Sequence, residues 1–197
     1  MVAALFVESA PRGVYQGLSN VDPWDAGRDA RSYAGPWAVV AHPPCARWGN
    51  FWYGGPLLHK QGRRKTLGDD GGCFAAAVAA VRTWGGVLEH PAYSRAWPAF
   101  NIPRPPSLGH LPDGSPFWTV QVEQGHYGHR APKKTWLFGA RCMPPPMEWG
   151  PSSAVQRVSG GHRHRTASVE RMGHYERMAT PVAFRDLLIG IAESVRP

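Results

Sequence analysis

An α/β fold, with a mostly parallel sheet and flanking helices, is predicted by three features of this 197-residue chain. The apolar run Val39-Val40-Ala41, the alanine-rich stretch 72–84 and the short run Val87-Leu88-Glu89 follow one another as strand, helix and strand. That order is a βαβ unit, which sets two strands parallel and lays a helix across them. Near the end of the chain, Phe184, Leu187, Leu188 and Ile191 recur on one helical face, as in a helix packed on a sheet.

The elements follow in order. Residues 2–8 read as a first strand, a short apolar run that meets an acid. Residues 9–36 are rich in Gly, Pro, Asp and Arg and read as loop, with a short second strand near Leu18–Val21. Residues 37–41 are a strand that the pair Pro43-Pro44 stops, because proline forbids a helix start there and extends the residue before it. Residues 46–70 form a polar, glycine-containing loop. Alanine propensity and the stripe Phe74, Val78, Val81 make 72–84 the clearest helix, and Gly85-Gly86 ends it. Residues 98–116 carry six prolines and must be loop. The segments 117–123 and 134–138 alternate as a hairpin around Gly125–His129. Residues 143–178 begin proline-rich and become basic and histidine-rich, a small irregular insert. Residues 181–195 are a helix with Pro181 in its first turn. Three divisions result: 1–142 as the main domain, 143–178 as a small basic insert, and 179–197 as a helix packing back.

Composition narrows the class. The length suits one domain that buries a core without disulfide staples. Three cysteines, Cys45, Cys73 and Cys142, form no CxxC pair, and the first apolar run is too short for a secretory signal or a membrane span. A reducing, cytoplasmic compartment is expected. The net charge of +8 favours a polyanion, nucleic acid first. The charge is grouped at Arg63-Arg64-Lys65, at Arg130 with Lys133-Lys134, and at Arg157–Arg165, with nine Trp and six Tyr interspersed. Basic residues among aromatics suit a nucleic-acid groove. The histidine pairs His126/His129 and His162/His164 have no metal-ligand spacing, so no metal is expected.

The most informative stretch is His42-Pro43-Pro44-Cys45-Ala46-Arg47-Trp48-Gly49. It leaves a thiol at the carboxyl end of a strand, where open α/β sheets bind ligands. A cysteine so placed reads as a nucleophile rather than a small core residue. With Leu88-Glu89-His90-Pro91 ending the next strand and the basic run up to Lys134, the chain resembles the DNA cytosine-5 methyltransferases, in a compact phage-type form. The likeness is carried by Pro43-Pro44-Cys45 and by Glu89, which is followed by His-Pro where the family has Asn-Val. It is carried also by Tyr127–Trp136 and by Arg177–Pro181.

The resemblance implies a Rossmann-like methyltransferase fold, shortened, acting on DNA with S-adenosyl-L-methionine. Cys45 would attack C6 of a flipped pyrimidine, most often cytosine, and Glu89 would hold its N3 and amino edge, with Arg130 and Lys133 supporting the thiolate. Phe6, Glu8 and Gly13, where the family has a Phe-x-Gly-x-Gly loop, fall at the cofactor with Pro43; Asp22 or Asp25 would meet the ribose and Asp29 the adenine. Arg47, Arg63, Arg64, Lys65, His129, Lys134, Arg163 and Arg165 would meet nucleic acid. The recognition region is small, so specificity is loose or a partner chain, or a second copy, supplies it. Two other readings remain open at this point. One is a thymidylate-synthase-like (hydroxy)methylase that uses a folate, although there a His follows the cysteine and here Ala46 does. The other is a DNA-binding protein that kept the scaffold without the cofactor.

Overall fold

A computed structural model describes residues 1–106, 116–156 and 172–196. Six strands form one sheet: β1 (Val2–Leu5), β2 (Val21–Trp24), β3 (Ala38–Ala41), β4 (Gly86–Pro91), β5 (Phe117–Glu123) and β6 (Lys134–Ala140). Their spatial order is β2-β1-β3-β4-β6-β5. The first four are parallel, and β6 runs antiparallel to both β4 and β5. The chain is therefore α/β with a mixed sheet. The βαβ unit expected over 37–89 is β3, α2 (Cys73–Trp84) and β4, and the expected hairpin is β5–β6.

Strand periodicity divides the core between two faces. Ala3, Leu5, Val39, Ala41, Leu88 and Phe138 turn toward α2, which contributes Phe74, Ala77, Val78 and Val81. Val2, Ala4, Val40, Val87 and Leu137 turn the other way, onto α5 (Val182–Glu193), through Phe184, Leu188 and Ile191. Helices on both faces bury both sides of the parallel strands, which is why these read as unbroken apolar runs.

Several boundaries differ from the sequence expectation. The first strand stops at Leu5, because Phe6 takes a left-handed φ of 60° and breaks the ladder. The second strand lies at Val21–Trp24, where Asp22 and Pro23 hide the strand pattern on an edge that tolerates proline. No helix separates β1 from β2. The loop after β3 holds a short helix, α1 (Gly55–Lys60), with no buried residue, and Ala96–Ala99 adds a turn of helix, α3. Gly86 opens β4 at φ 109°, and a Cβ there would meet the Val39 carbonyl oxygen at 2.0 Å, so the helix-to-strand joint admits only glycine. Within the basic insert the structure shows α4 (His174–Met178), which leads into α5. The insert's middle, 157–171, lies outside the described residues.

Candidate active site

From β1 the chain moves to β2 on one side, and β3 returns to the other side of β1. Ligands of open parallel sheets bind outside the carboxyl ends of the strands at such a reversal. Here β1 delivers Phe6, Val7 and Glu8, β3 delivers His42 to Cys45, and the adjacent β4 delivers Glu89. The His42 amide donates to the Leu5 carbonyl (3.0 Å), tying the start of the proline turn to β1.

The turn itself is fastened to α2. The Cys45 carbonyl accepts from the Trp48 and Gly49 amides (3.0 and 3.1 Å). Trp48 is buried against Phe74 and Phe100, and its indole N–H donates to Asp70 (2.8 Å). The same carboxylate accepts from the amides of Gly72 and Phe74, two of the unpaired donors at the start of α2. Cys45 is left half-buried above the strand ends.

Glu89 is the centre of a buried polar chain. Its Oε2 lies 3.1 Å from His42 Nδ1, and its Oε1 accepts from Gln124 Nε2 (3.0 Å). Gln124 also donates to Thr135 Oγ1 (2.9 Å), whose hydroxyl donates to the Lys133 carbonyl (3.2 Å). Those two contacts fix the amide orientation, since a flipped Gln124 would set oxygen against the Glu89 carboxylate. On the far side, His42 Nε2 lies 2.8 Å from the Tyr15 hydroxyl. Burial alone would raise the Glu89 carboxyl. The hydrogen bond from His42 and the positive charge of Lys133 act against it and hold Glu89 ionised, down at about 2.

The cation beside this chain is Lys133, on the turn entering β6 at φ 43°. Its ammonium donates to the carbonyls of Met178 (3.4 Å) and Ala179 (3.1 Å), strapping the α4–α5 junction to the site. Burial pushes its pKa down, against the pull of Glu89, Cys45 and Glu8. The Cys45 thiol is pushed up by burial and then by the Glu89 charge, with Lys133 acting the other way. The free protein thus keeps Cys45 largely protonated at neutral pH. Alkylation of Cys45, followed by peptide mass spectrometry, should accelerate only above the ordinary thiol range. Glu89→Gln should speed it severalfold at pH 7.5, and Lys133→Met should slow it. Equal rates in all three proteins would remove the electrostatic link.

His90 underlies the turn. It is fully buried, with Phe74 and Trp97 packed edge-on at 5.0 and 5.8 Å, and neither ring nitrogen makes a well-formed hydrogen bond. Burial lowers its pKa to about 4, against the opposing effects of Glu89 and the Pro44 backbone, so it is neutral in the fold. A histidine depressed on folding binds protons more readily in the unfolded chain. Stability is therefore lost as pH falls from about 6.5 to about 4, on the order of 3 kcal/mol over that window. His90→Phe should flatten that part of a pH series of denaturant melts and leave the pH 8 midpoint within about 1 kcal/mol of wild type.

The remaining sequence-selected residues are dispersed. Arg130 is exposed and pairs with Glu176 of α4 at 2.8 Å, outside the polar chain around Glu89. His129 is 5% exposed, with Nδ1 against the Ala131 backbone, so its ring lies inside the turn rather than at the surface where the sequence expectation sets it. Arg47 is half-buried and donates to the Trp52 carbonyl, closing the base of the loop. Arg63, Arg64 and Lys65 are exposed beyond α1, and Lys134 is exposed 3.8 Å from Glu123. Arg163 and Arg165 lie outside the described residues.

Of the residues expected at a cofactor, Asp22 holds Arg28 and the Trp24 indole, and Asp29 holds Arg31. Each of the two is already paired with an arginine. A Cβ on Gly13 would strike the Glu8 carbonyl at 2.0 Å, so that glycine serves the loop's own packing. Asp25 fits better. It follows β2 directly, Ser9 of the β1 loop holds it, and that hydrogen bond with those from the Arg28 and Gly27 amides keeps it ionised. Asp25 and Glu8 bring acceptor carboxylates to the loops after β2 and β1, where Phe6 is half-buried, and such acceptors suit a cationic molecule bearing hydroxyls.

Sequence reading did not single out Tyr15 or Gln124. Tyr15 lies in a Gly/Pro-rich stretch without periodicity, and Gln124 gains its role only when β6 folds beside β4. The adjacency of His42 to the proline turn was the one usable signal. Among the described residues, no three His, Cys, Asp or Glu side chains converge to hold a metal, and no helix is long and apolar enough to cross a membrane. Comparison with protein-family models, curated proteins and solved structures finds no match to this chain.

Proposed function

We propose that this protein modifies C5 of a pyrimidine in DNA, cytosine first, through addition of Cys45 to C6. The observation that carries the reading is the convergence of a half-buried thiol and an ionised, hydrogen-bonded carboxylate at the ends of two neighbouring parallel strands. On this reading the sheet is a shortened Rossmann-like methyltransferase sheet, and the crevice between β1 and β3 takes the donor.

The chemistry follows from the two groups. C5 of cytosine is a weak nucleophile. Attack of the Cys45 sulfur on C6, with net passage of the thiol proton to N3, breaks the C5–C6 double bond and makes C5 enamine-like. Glu89 stays ionised, so it acts as an acceptor: it receives the amino N–H, and the N3–H formed when the adduct takes up a proton. Bond formation at C5 would release the donor's leaving group; loss of the C5 proton to water, return of the N3 proton to the departing Cys45 sulfur and re-formation of the C5–C6 double bond restore the ring. Lys133 favours the thiolate over the thiol in the first step. S-adenosyl-L-methionine, when bound, supplies an electrophilic methyl carbon. Phe6, Glu8, Asp25 and Pro43 are the residues that would hold it. The base must leave the stack before its C6 face is open, and the cationic run Arg63-Arg64-Lys65, exposed on the loop after Cys45, would meet the backbone.

Nucleoside mass spectrometry on DNA from cells expressing the protein is the test. A new C5-modified pyrimidine is expected, and its mass identifies the transferred group. An unchanged profile, from a purified protein that binds DNA but not S-adenosyl-L-methionine, would overturn the reading in favour of a non-catalytic DNA-binding scaffold.

A further inference from the structure

The polar chain extends beyond the two groups the chemistry needs. Tyr15 is 2% exposed, and among the described residues its hydroxyl has one hydrogen-bond partner, His42 Nε2 at 2.8 Å. The other ring nitrogen faces Glu89 Oε2 at 3.1 Å. Only one distribution of protons satisfies all three groups. If the imidazole carried two protons, the Tyr15 O–H would be buried without an acceptor, at a cost of about 1–3 kcal/mol. If the proton sat on Nε2 alone, a bare Nδ1 lone pair would confront the carboxylate. The neutral ring with its proton on Nδ1 lets the phenol donate to Nε2 and Nδ1–H donate to Glu89. Burial and the Glu89 charge push the Tyr15 hydroxyl well above its usual range, so it remains a donor through neutral pH.

We infer that Tyr15 and His42 are positioning residues: Tyr15 fixes the tautomer of His42, and His42 fixes Glu89 as an ionised acceptor aimed at the substrate edge. The inference rests on the proposed function for what Glu89 does, and on geometry alone for how it is held. Each link is anchored by a different element. Tyr15 sits on the loop after β1, and that loop is pinned to α5 by the Arg185 guanidinium, which donates to the Val14 carbonyl (2.8 Å). His42 is pinned to β1 through its amide, and Glu89 is strand residue and network member at once. The loop that carries Tyr15 also carries Glu8 and Ser9 of the donor crevice. Ordering of that loop therefore bears on Glu89 through two hydrogen bonds.

The test reads the tautomer directly. Two-bond nitrogen–proton correlation spectra of histidine-labelled protein at pH 7 should show His42 with a protonated Nδ1 and a bare Nε2, assigned by loss of the signal in His42→Asn. Tyr15→Phe should shift this pattern toward a mixture. An imidazolium, or the Nε2–H tautomer, in the wild type would overturn the inference. Kinetics with labelled donor and DNA supply the second readout. Tyr15→Phe should lower kcat ~10-fold and His42→Leu up to ~100-fold, with KM for DNA within about 2-fold, the range usual for groups that orient a working residue. His42→Asn should recover most of the loss, because its amide N–H stands where Nδ1–H stood. A purely structural role would show as loss of folded protein or a raised KM, without rescue by Asn. Should even the wild type fail to modify DNA, the proposed function falls, while the spectra still decide the assignment.

Discussion

Cys45→Ala removes C5 modification by on the order of 10³-fold or more and leaves DNA affinity within about 2-fold. Both halves of this expectation follow from where the residue stands. The side chain is half-buried at the end of a turn whose shape is set by Pro43, Pro44 and the Trp48 indole, so deleting one sulfur leaves the turn intact. The cationic residues exposed beyond α1 are untouched. A DNA strand carrying 5-fluorocytosine sharpens the test. Addition of Cys45 to C6 and transfer to C5 would proceed, but fluorine cannot leave as a cation, so the thioether persists. Wild-type protein should form a complex that survives denaturing gels and maps to Cys45, and Cys45→Ala should form none. Modification retained in the variant, or a trapped adduct on Cys73, would end the role given to Cys45.

The scaffold of this site was legible in the sequence where local chemistry dictates structure. Two prolines after Val39-Val40-Ala41 end a strand in any context, and the alanine run before Gly85-Gly86 has few alternatives to a helix. The β5–β6 hairpin was visible in its alternation. The second strand was misplaced, because Asp22 and Pro23 deny it an apolar pattern and only its pairing with β1 makes it a strand. The placement of Cys45 and Glu89 was legible, Cys45 directly after a proline pair and Glu89 just past the last residue that β4 pairs with β3. The placement of Arg130 and His129 was not legible. Sequence shows that both lie near Lys133, but it does not show that the turn after Gly128 sends His129 inward and Arg130 out to Glu176. Tyr15 is 74 residues from Glu89 in sequence, and only the parallel pairing of β1 with β3 brings its loop to that carboxylate. Tertiary hydrogen bonds of that kind leave no periodic mark.

Glu89→Gln separates the carboxylate's charge from its shape. In the folded protein two donors converge on Glu89, Gln124 Nε2 on one oxygen and the imidazole on the other. A glutamine offers one acceptor and one N–H group. Either one of the two buried donors faces another donor, or His42 changes tautomer and leaves the Tyr15 O–H without an acceptor, and a loss of about 1–3 kcal/mol is expected in denaturant melts at pH 7. Glu89→Ala leaves both without an acceptor and should lose about 3–5 kcal/mol. The pH dependence has a definite sign. The Glu89 carboxyl is depressed in the fold, so its contribution is complete above the unfolded value near 4.5 and is lost as pH falls toward about 2. Wild-type stability should fall across that window, and Glu89→Gln should fall less. The window lies below the one assigned to His90, so the two variants flatten different parts of one curve. Turnover should drop by ~10²-fold or more in Glu89→Gln, through kcat rather than KM, because an amide lacks the negative charge and the second acceptor oxygen that hold the amino N–H and the N3–H of the adduct. Unchanged turnover, combined with the expected loss of stability, would confine Glu89 to holding β3 and β4 together and would move the catalytic assignment elsewhere at the strand ends.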